Sequence, residues 1–208
     1  MNLLKKVFVI KVFLLSVLFA QEKNFNRFSV DMKLSFNNSS GTSQNTVIGV
    51  INVNTDIQGV SGKILLNYYP DNRYSFFASA GMIASKNKVI VNFGNISTKN
   101  SVIVPIYFGG KYHFINLDDD EKLLKPYVTG GIGFAFGVQN DSEILNTSSS
   151  VYTSPAAYIG AGADLHLSSL IKFTFDAGYN LISDFKKEIG ATKNYSGAEV
   201  SVGIGLSF

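Results

Sequence analysis

The sequence predicts an all-β protein, an eight-stranded antiparallel β-barrel that crosses a membrane. Three observations lead there. Apolar and polar residues alternate with a period of two in eight segments, the mark of strands with two unlike faces. The connections between those segments are by turns long and short. No segment beyond residue 20 approaches the ~18 uninterrupted apolar residues of a membrane helix.

The first segment, "FSVDMKLSF", sets Phe28, Val30, Met32, Leu34 and Phe36 against Ser29, Asp31, Lys33 and Ser35. "GKILLNYY" runs into a turn at residues 70–73, and "YSFFASAGMIAS" leaves it. "SVIVPIYFGGKYHF" sets Val102, Val104, Ile106 and Phe108 against Pro105, Tyr107, Lys111 and His113. "PYVTGGIGFAFG" sets Val128, Ile132, Phe134 and Phe136 against Thr129, Gly131, Gly133 and Ala135. "AAYIGAGADLHL" sets Ala157, Ile159, Leu165 and Leu167 against Tyr158, Gly160, Gly162, Asp164 and His166. "LIKFTFDAGYNLI" sets Ile171, Phe173, Phe175 and Leu181 against Lys172, Thr174, Asp176 and Asn180. "VSVGIGLSF" closes with Val200, Val202, Ile204, Leu206 and Phe208 on one face. Each segment has about the 9–11 residues that a tilted membrane-spanning strand needs.

"NTVIGVINVN", residues 45–54, is also strand-like, but a ninth strand would break the even count of a bacterial single-chain barrel. It reads as a hairpin extension within a long first loop. Polar stretches near residues 86–100 and 138–154 read as long loops, and residues 182–196 as the last. Short connections at residues 70–73 and 168–170 lie at the opposite end. Long ends outside and short turns in the periplasm is the layout of an outer-membrane barrel. Tyr68, Tyr69, Tyr74, Tyr112, Phe114, Tyr127 and Phe208 gather toward the short-turn end, as an interfacial aromatic girdle would.

Residues 1–20 carry Lys5 and Lys6 before a short apolar run that ends at Ala20, the pattern of a secretory signal peptide. The expected organisation is therefore a signal peptide, residues 1–20, and one barrel domain, residues 21–208. Without the leader, fifteen basic residues face fifteen acidic ones, so the basic excess of a nucleic-acid binder is missing. There is no cysteine, hence no disulfide and no lipid anchor through one.

If the apolar face meets lipid, the other lines the lumen. The alternation then turns inward four basic residues, Lys33, Lys63, Lys111 and Lys172, and four acidic ones, Asp31, Asp164, Asp176 and Glu199. Eight strands leave an interior just wide enough for side chains. An isolated charge there is costly, so these eight are expected to form an internal network of ion pairs and hydrogen bonds. The glycines at 131, 133, 160, 162, 203 and 205 would make room for the larger inward groups.

The segments "VPIYFGGKYHF", "KPYVTGGIGFAFG", "YIGAGADLHL", "FTFDAGYNLI" and "GAEVSVGIGLSF" resemble the small outer-membrane β-barrel proteins of the OmpX-like and opacity-like kind. The resemblance runs from about residue 60 to 208. It implies contact with outer-membrane lipid and lipopolysaccharide, and assembly through a final aromatic, here Phe208, read by the barrel-assembly machinery. It also implies loops able to meet an extracellular ligand.

The motifs that suggest chemistry have simpler readings. "GGIGFAFG" lacks the spacing and the following helix of a dinucleotide site. "LDDDE", residues 117–121, lacks the alternating ligands and glycine of a calcium loop and reads as a solvated acidic turn. His113 and His166 lie at the short-turn ends of inward faces, where hydrogen bonding within the network is the expected role. His166-Leu167-Ser168 resembles the His and Ser of outer-membrane lipid A deacylases, but maps to a periplasmic turn away from outer-leaflet lipid. The outer loops contain no histidine for an omptin-like protease. No catalytic, cofactor or metal residue is assigned. The expected function is a non-enzymatic barrel that works through its loops or supports the envelope. A narrow channel is the alternative, and a soluble ligand-binding barrel with Phe134, Phe136, Phe173 and Phe175 inside is the third reading.

Overall fold

A computed structural model describes residues 26–39, 51–55, 60–84, 87–92, 95–119, 122–142, 147–190 and 192–208. Residues 1–20, expected to be the leader, lie outside the described residues, as do residues 45–50. Ten strands appear in chain order: β1 (Phe28–Ser39), β2 (Ile51–Thr55), β3 (Val60–Tyr68), β4 (Tyr74–Ala84), β5 (Asn87–Asn92), β6 (Asn95–His113), β7 (Leu124–Ser142), β8 (Thr147–His166), β9 (Ile171–Ile182) and β10 (Gly197–Ser207).

Eight of them close a ring in the order β1-β3-β4-β6-β7-β8-β9-β10, and every pairing is antiparallel. The seam joins β1 to β10, from Ser29 opposite Ser207 to Ser39 opposite Gly197. Past the ladder, Phe28 and Phe208 exchange both backbone hydrogen bonds, 3.0 and 2.8 Å, and their rings stack at 6.4 Å. Closure leaves the barrel no open edge for a membrane to solvate.

Pro105 on β6 marks a local cost of this arrangement. The β4–β6 ladder runs to Ala80 opposite Ile106 and resumes at Ile83 opposite Ile103, skipping Pro105, which has no N–H, and Val104 beside it. The ladder to β7 on the other side is intact through Pro105 opposite Ala135.

The face assignment follows the alternation. Met32, Leu34, Phe76, Phe108 and Val200 point outward, and Ile132 is 74% exposed. Large apolar residues exposed along whole strands, with charges inside, is the reverse of a water-soluble protein. The soluble reading needs the phenylalanines buried and the charges outside. Phe134 and Phe175 are exposed while Lys172 and Asp176 are buried, so that reading is overturned.

The long-loop end differs from the expectation. Residues 86–100 and 138–154 are largely strand: β5 pairs with the start of β6, and β7 pairs with β8 as far as Ser142 opposite Thr147. Of the stretch read as a hairpin extension, residues 51–54 belong to β2, which pairs with β5 and prolongs the line of β3 beside the prolonged β4, while residues 45–50 lie outside the described residues. A wall of β2, β5, β6, β7 and β8 thus rises past the ring on one side. A strand that leaves lipid has no reason to keep an apolar face, which is why its Asn-, Ser- and Thr-rich sequence reads as loop.

The short-turn end is tightly tied. Asp71 accepts from the backbone N–H of Arg73 and Tyr74, 2.7 and 2.8 Å. Arg73 Nε and Asn72 Nδ2 bond Asn116 and Asp118 on the next connection. Asp118 and Asp119 are solvated turn residues, with Asp119 3.9 Å from Lys122; Asp120 and Glu121 of the acidic run lie outside the described residues. Ser168 Oγ accepts from the N–H of Leu170 and Ile171, so the His166-Leu167-Ser168 triplet uses its hydroxyl to shape a turn.

Candidate functional site

The lumen is where unlike strands bring reactive side chains together, and it is filled. Asp31 on β1 lies near the short-turn end. It accepts from Ser29 Oγ (3.1 Å) and Asn67 Nδ2 (2.9 Å), and its carboxylate stands 3.1 Å from Lys172 Nζ and 3.5 Å from Lys111 Nζ. Lys172 also donates to the Tyr69 hydroxyl (2.8 Å) and lies 3.4 Å from Asp164. Asp164 in turn faces His113 Nε2 at 3.5 Å. Neither ring nitrogen of His113 has a hydrogen-bond partner among the described residues. Its ring stands between Tyr69 and Tyr127, with centroids 6.3 and 5.3 Å away.

A second group centres on Asp176 of β9. It receives Lys33, the Tyr127 hydroxyl and Ser201 Oγ, the last at 3.0 Å. A third joins Glu199 to Lys63 and to Asn180 Nδ2 (2.7 Å), while the Tyr107 hydroxyl donates to Asn180 Oδ1 (3.1 Å). The structure therefore places all eight residues expected of the lumen in ion pairs with one another. Glycines fit beneath them. A Cβ on Gly162 would lie 2.8 Å from the Tyr127 ring, and one on Gly203 2.7 Å from Lys33.

The arrangement holds charge without leaving it unpaired, which is the condition for burial in a low-dielectric interior. Aromatic faces add to it: Lys111 Nζ sits 4.9 Å from the Tyr127 ring centre and Lys63 Nζ 4.7 Å from that of Tyr158. Removing one neutral bond should cost little by comparison. Tyr107→Phe is expected to lower stability by about 0.5–1.5 kcal/mol, read from the denaturant midpoint in detergent micelles.

Two girdle assignments are corrected. Tyr69 and Tyr127 are buried in the lumen, drawn in because their hydroxyls reach Lys172 and Asp176. Tyr68, Tyr74 and Phe114 are exposed at that end, as expected of a girdle. Reading the sequence also missed Lys125, buried on β7 and donating to the Leu117 carbonyl of the connection beneath. It shares the phase of Tyr127 and Thr129, and that signal was available.

Toward the long-loop end the inward faces carry an apolar cluster as well as buried polar residues such as Ser79, Gln139 and Ser154. Leu65, Phe77, Ile103, Ala135, Ala156, Tyr158 and Ile182 form one cluster with Phe185, Ile189 and Tyr195 from the β9–β10 connection. No periodicity announced those last three. Among the described residues no group of His, Asp or Glu is placed to hold a metal ion.

The comparisons agree with this architecture. A family model, "Outer membrane protein beta-barrel domain", matches residues 14–208. No curated protein matches the sequence closely enough to add a relative. Among solved structures, OprG of Pseudomonas aeruginosa is similar at 11% identity and TM-score 0.52, over 88% of this chain and 96% of that one. Ail, the attachment invasion locus protein of Yersinia pestis, is similar at 15% identity and TM-score 0.51, over 88% and 97%. Neisserial surface protein A is similar at 16% identity and TM-score 0.50, over 89% and 98%. At these identities the likeness is one of fold. The chain belongs to the outer membrane protein β-barrel family, and its place is the bacterial outer membrane.

Proposed function

We propose that this protein is a non-enzymatic outer-membrane barrel whose lumen is packed shut and whose work is surface contact or envelope support. One observation carries the reading: ion-paired and apolar side chains from all eight barrel strands fill the interior. In this reading the short turns and Phe208 lie in the periplasm and the β2, β5, β6, β7 and β8 wall outside. Residues 1–20 direct export, with a mature N-terminus at Gln21. Phe208 is the aromatic taken up by the barrel-assembly machinery, supported by its stacking on Phe28 at the seam.

The apolar belt takes up lipid, and the raised wall gives an extracellular partner a surface to meet. Exposed Lys186, Lys187 and Lys193 beside it suit lipopolysaccharide phosphates or another anionic ligand. Ail was crystallised with the heparin analogue sucrose octasulfate. Planar-bilayer recording tests the reading. Purified protein should add no discrete conductance steps, whereas regular steps at low voltage would replace it with the narrow-channel alternative.

A further inference from the structure

The connection from β9 to β10 behaves unlike a surface loop. Phe185, Ile189 and Tyr195 are only 2%, 0% and 4% exposed, although polar residues surround them in sequence. The segment is braced by its own bonds. Phe185 N donates to Lys193 O and Ile189 N to Thr192 O, both 3.0 Å, and the Tyr195 hydroxyl donates to the Ile189 carbonyl. Gly190 turns the chain with φ of 65°, a conformation open to glycine. Phe185 and Tyr195 meet edge to face at 6.1 Å.

The barrel wall is shaped to receive it. Gly137 lies inside β7, between Ile103 on β6 and Tyr152 on β8, where glycine weakens a strand by about 0.5–1 kcal/mol. A Cβ there would stand 2.8, 3.1 and 3.2 Å from Cγ1, Cδ1 and Cγ2 of Ile189. Both branches of the isoleucine, Cγ1–Cδ1 and Cγ2, occupy the space a side chain would take. Two residues on, Gln139 Oε1 accepts from Gly190 N at 3.4 Å.

We propose that Phe185, Ile189 and Tyr195 are a seated plug barring the upper lumen from the loop side, and that the missing side chain at Gly137 is its seat. The ion pairs that hold the barrel come from strands β1, β3, β6, β8, β9 and β10. The plug is thus separable from the barrel, and unseating it opens an apolar cup without opening a pore. The proposal rests on the reading above only in taking this end to be extracellular.

The chain has no cysteine, so a single thiol reports access. Ala135 is fully buried on β7, one inward position below Gly137. The A135C variant is treated on intact cells with a membrane-impermeant sulfonated maleimide, with K187C on the exposed part of the loop as reference. A135C should label at least tenfold more slowly than K187C. Adding G137V, or I189S, which leaves the barrel wall untouched, should raise its rate at least tenfold while the folded band persists on unboiled gels. If G137V does not fold, I189S decides. A135C labelling as fast as K187C by itself, or staying protected beside a folded I189S, overturns the plug. The same comparison on purified protein in micelles decides the plug from either side. K187C that reacts only after lysis overturns the extracellular assignment instead.

Discussion

Replacing Lys172 with methionine should destabilise the barrel by about 3–5 kcal/mol, the usual cost of removing one partner from a buried ion pair. Lys172 is fully buried, and its ammonium stands between Asp31 at 3.1 Å and Asp164 at 3.4 Å. Methionine keeps most of the volume but leaves two carboxylates with less positive charge beside them. Lys111 remains 3.5 Å from Asp31, which sets the loss below that of two isolated charges. The double variant K172M/D164L should recover part of the loss, because the neighbouring carboxylate leaves with the lysine. Urea unfolding in micelles reads both. An unchanged K172M midpoint would mean that the lumen charges are solvated and independent.

Gly162→Val should be at least as damaging, and for a different reason. The added Cβ would press on the Phe175 carbonyl across the β8–β9 ladder and stand 2.8 Å from both Cζ and Oη of Tyr127. The carbonyl belongs to the paired backbone and cannot swing aside. Tyr127 can move only by giving up Asp176. Overpacking costs about 1–3 kcal/mol and a hydrogen bond to a charged group about 1.5–3 kcal/mol. The variant should therefore show little or no folded band on an unboiled gel. Gly62→Ala is the matched control: Gly62 faces outward with nothing within 4 Å of its Cβ, and its change should stay within about 0.5 kcal/mol.

What was legible in the sequence divides along a physical line. Inside the membrane one face of each strand must be apolar, so period-two alternation located all eight barrel strands and turned the eight charges inward. Beyond the membrane that demand lapses. The outward parts of β5, β6, β7 and β8 read as polar loops for this reason, and β2 was placed in a hairpin of its own. Tyr69 keeps the inward phase of Lys63, Leu65 and Asn67, so alternation already pointed it into the lumen; its aromatic type and place at the strand end put it in the girdle instead. Lys125 sits in phase on β7 but next to the connection it binds, so it passed for a turn residue. The plug left no trace, because Phe185, Ile189 and Tyr195 are three isolated apolar residues in a polar stretch, too few to set up a sustained period.

The central claim is a closed ring with lipid outside and paired charges inside. Its most direct test is to extract the outer-membrane fraction and run it on SDS gels with and without boiling. The closed barrel should resist detergent, migrate differently before heating and shift once boiled. A protein recovered in the soluble periplasmic fraction, with one mobility in both lanes, would contradict the account and turn its faces inside out.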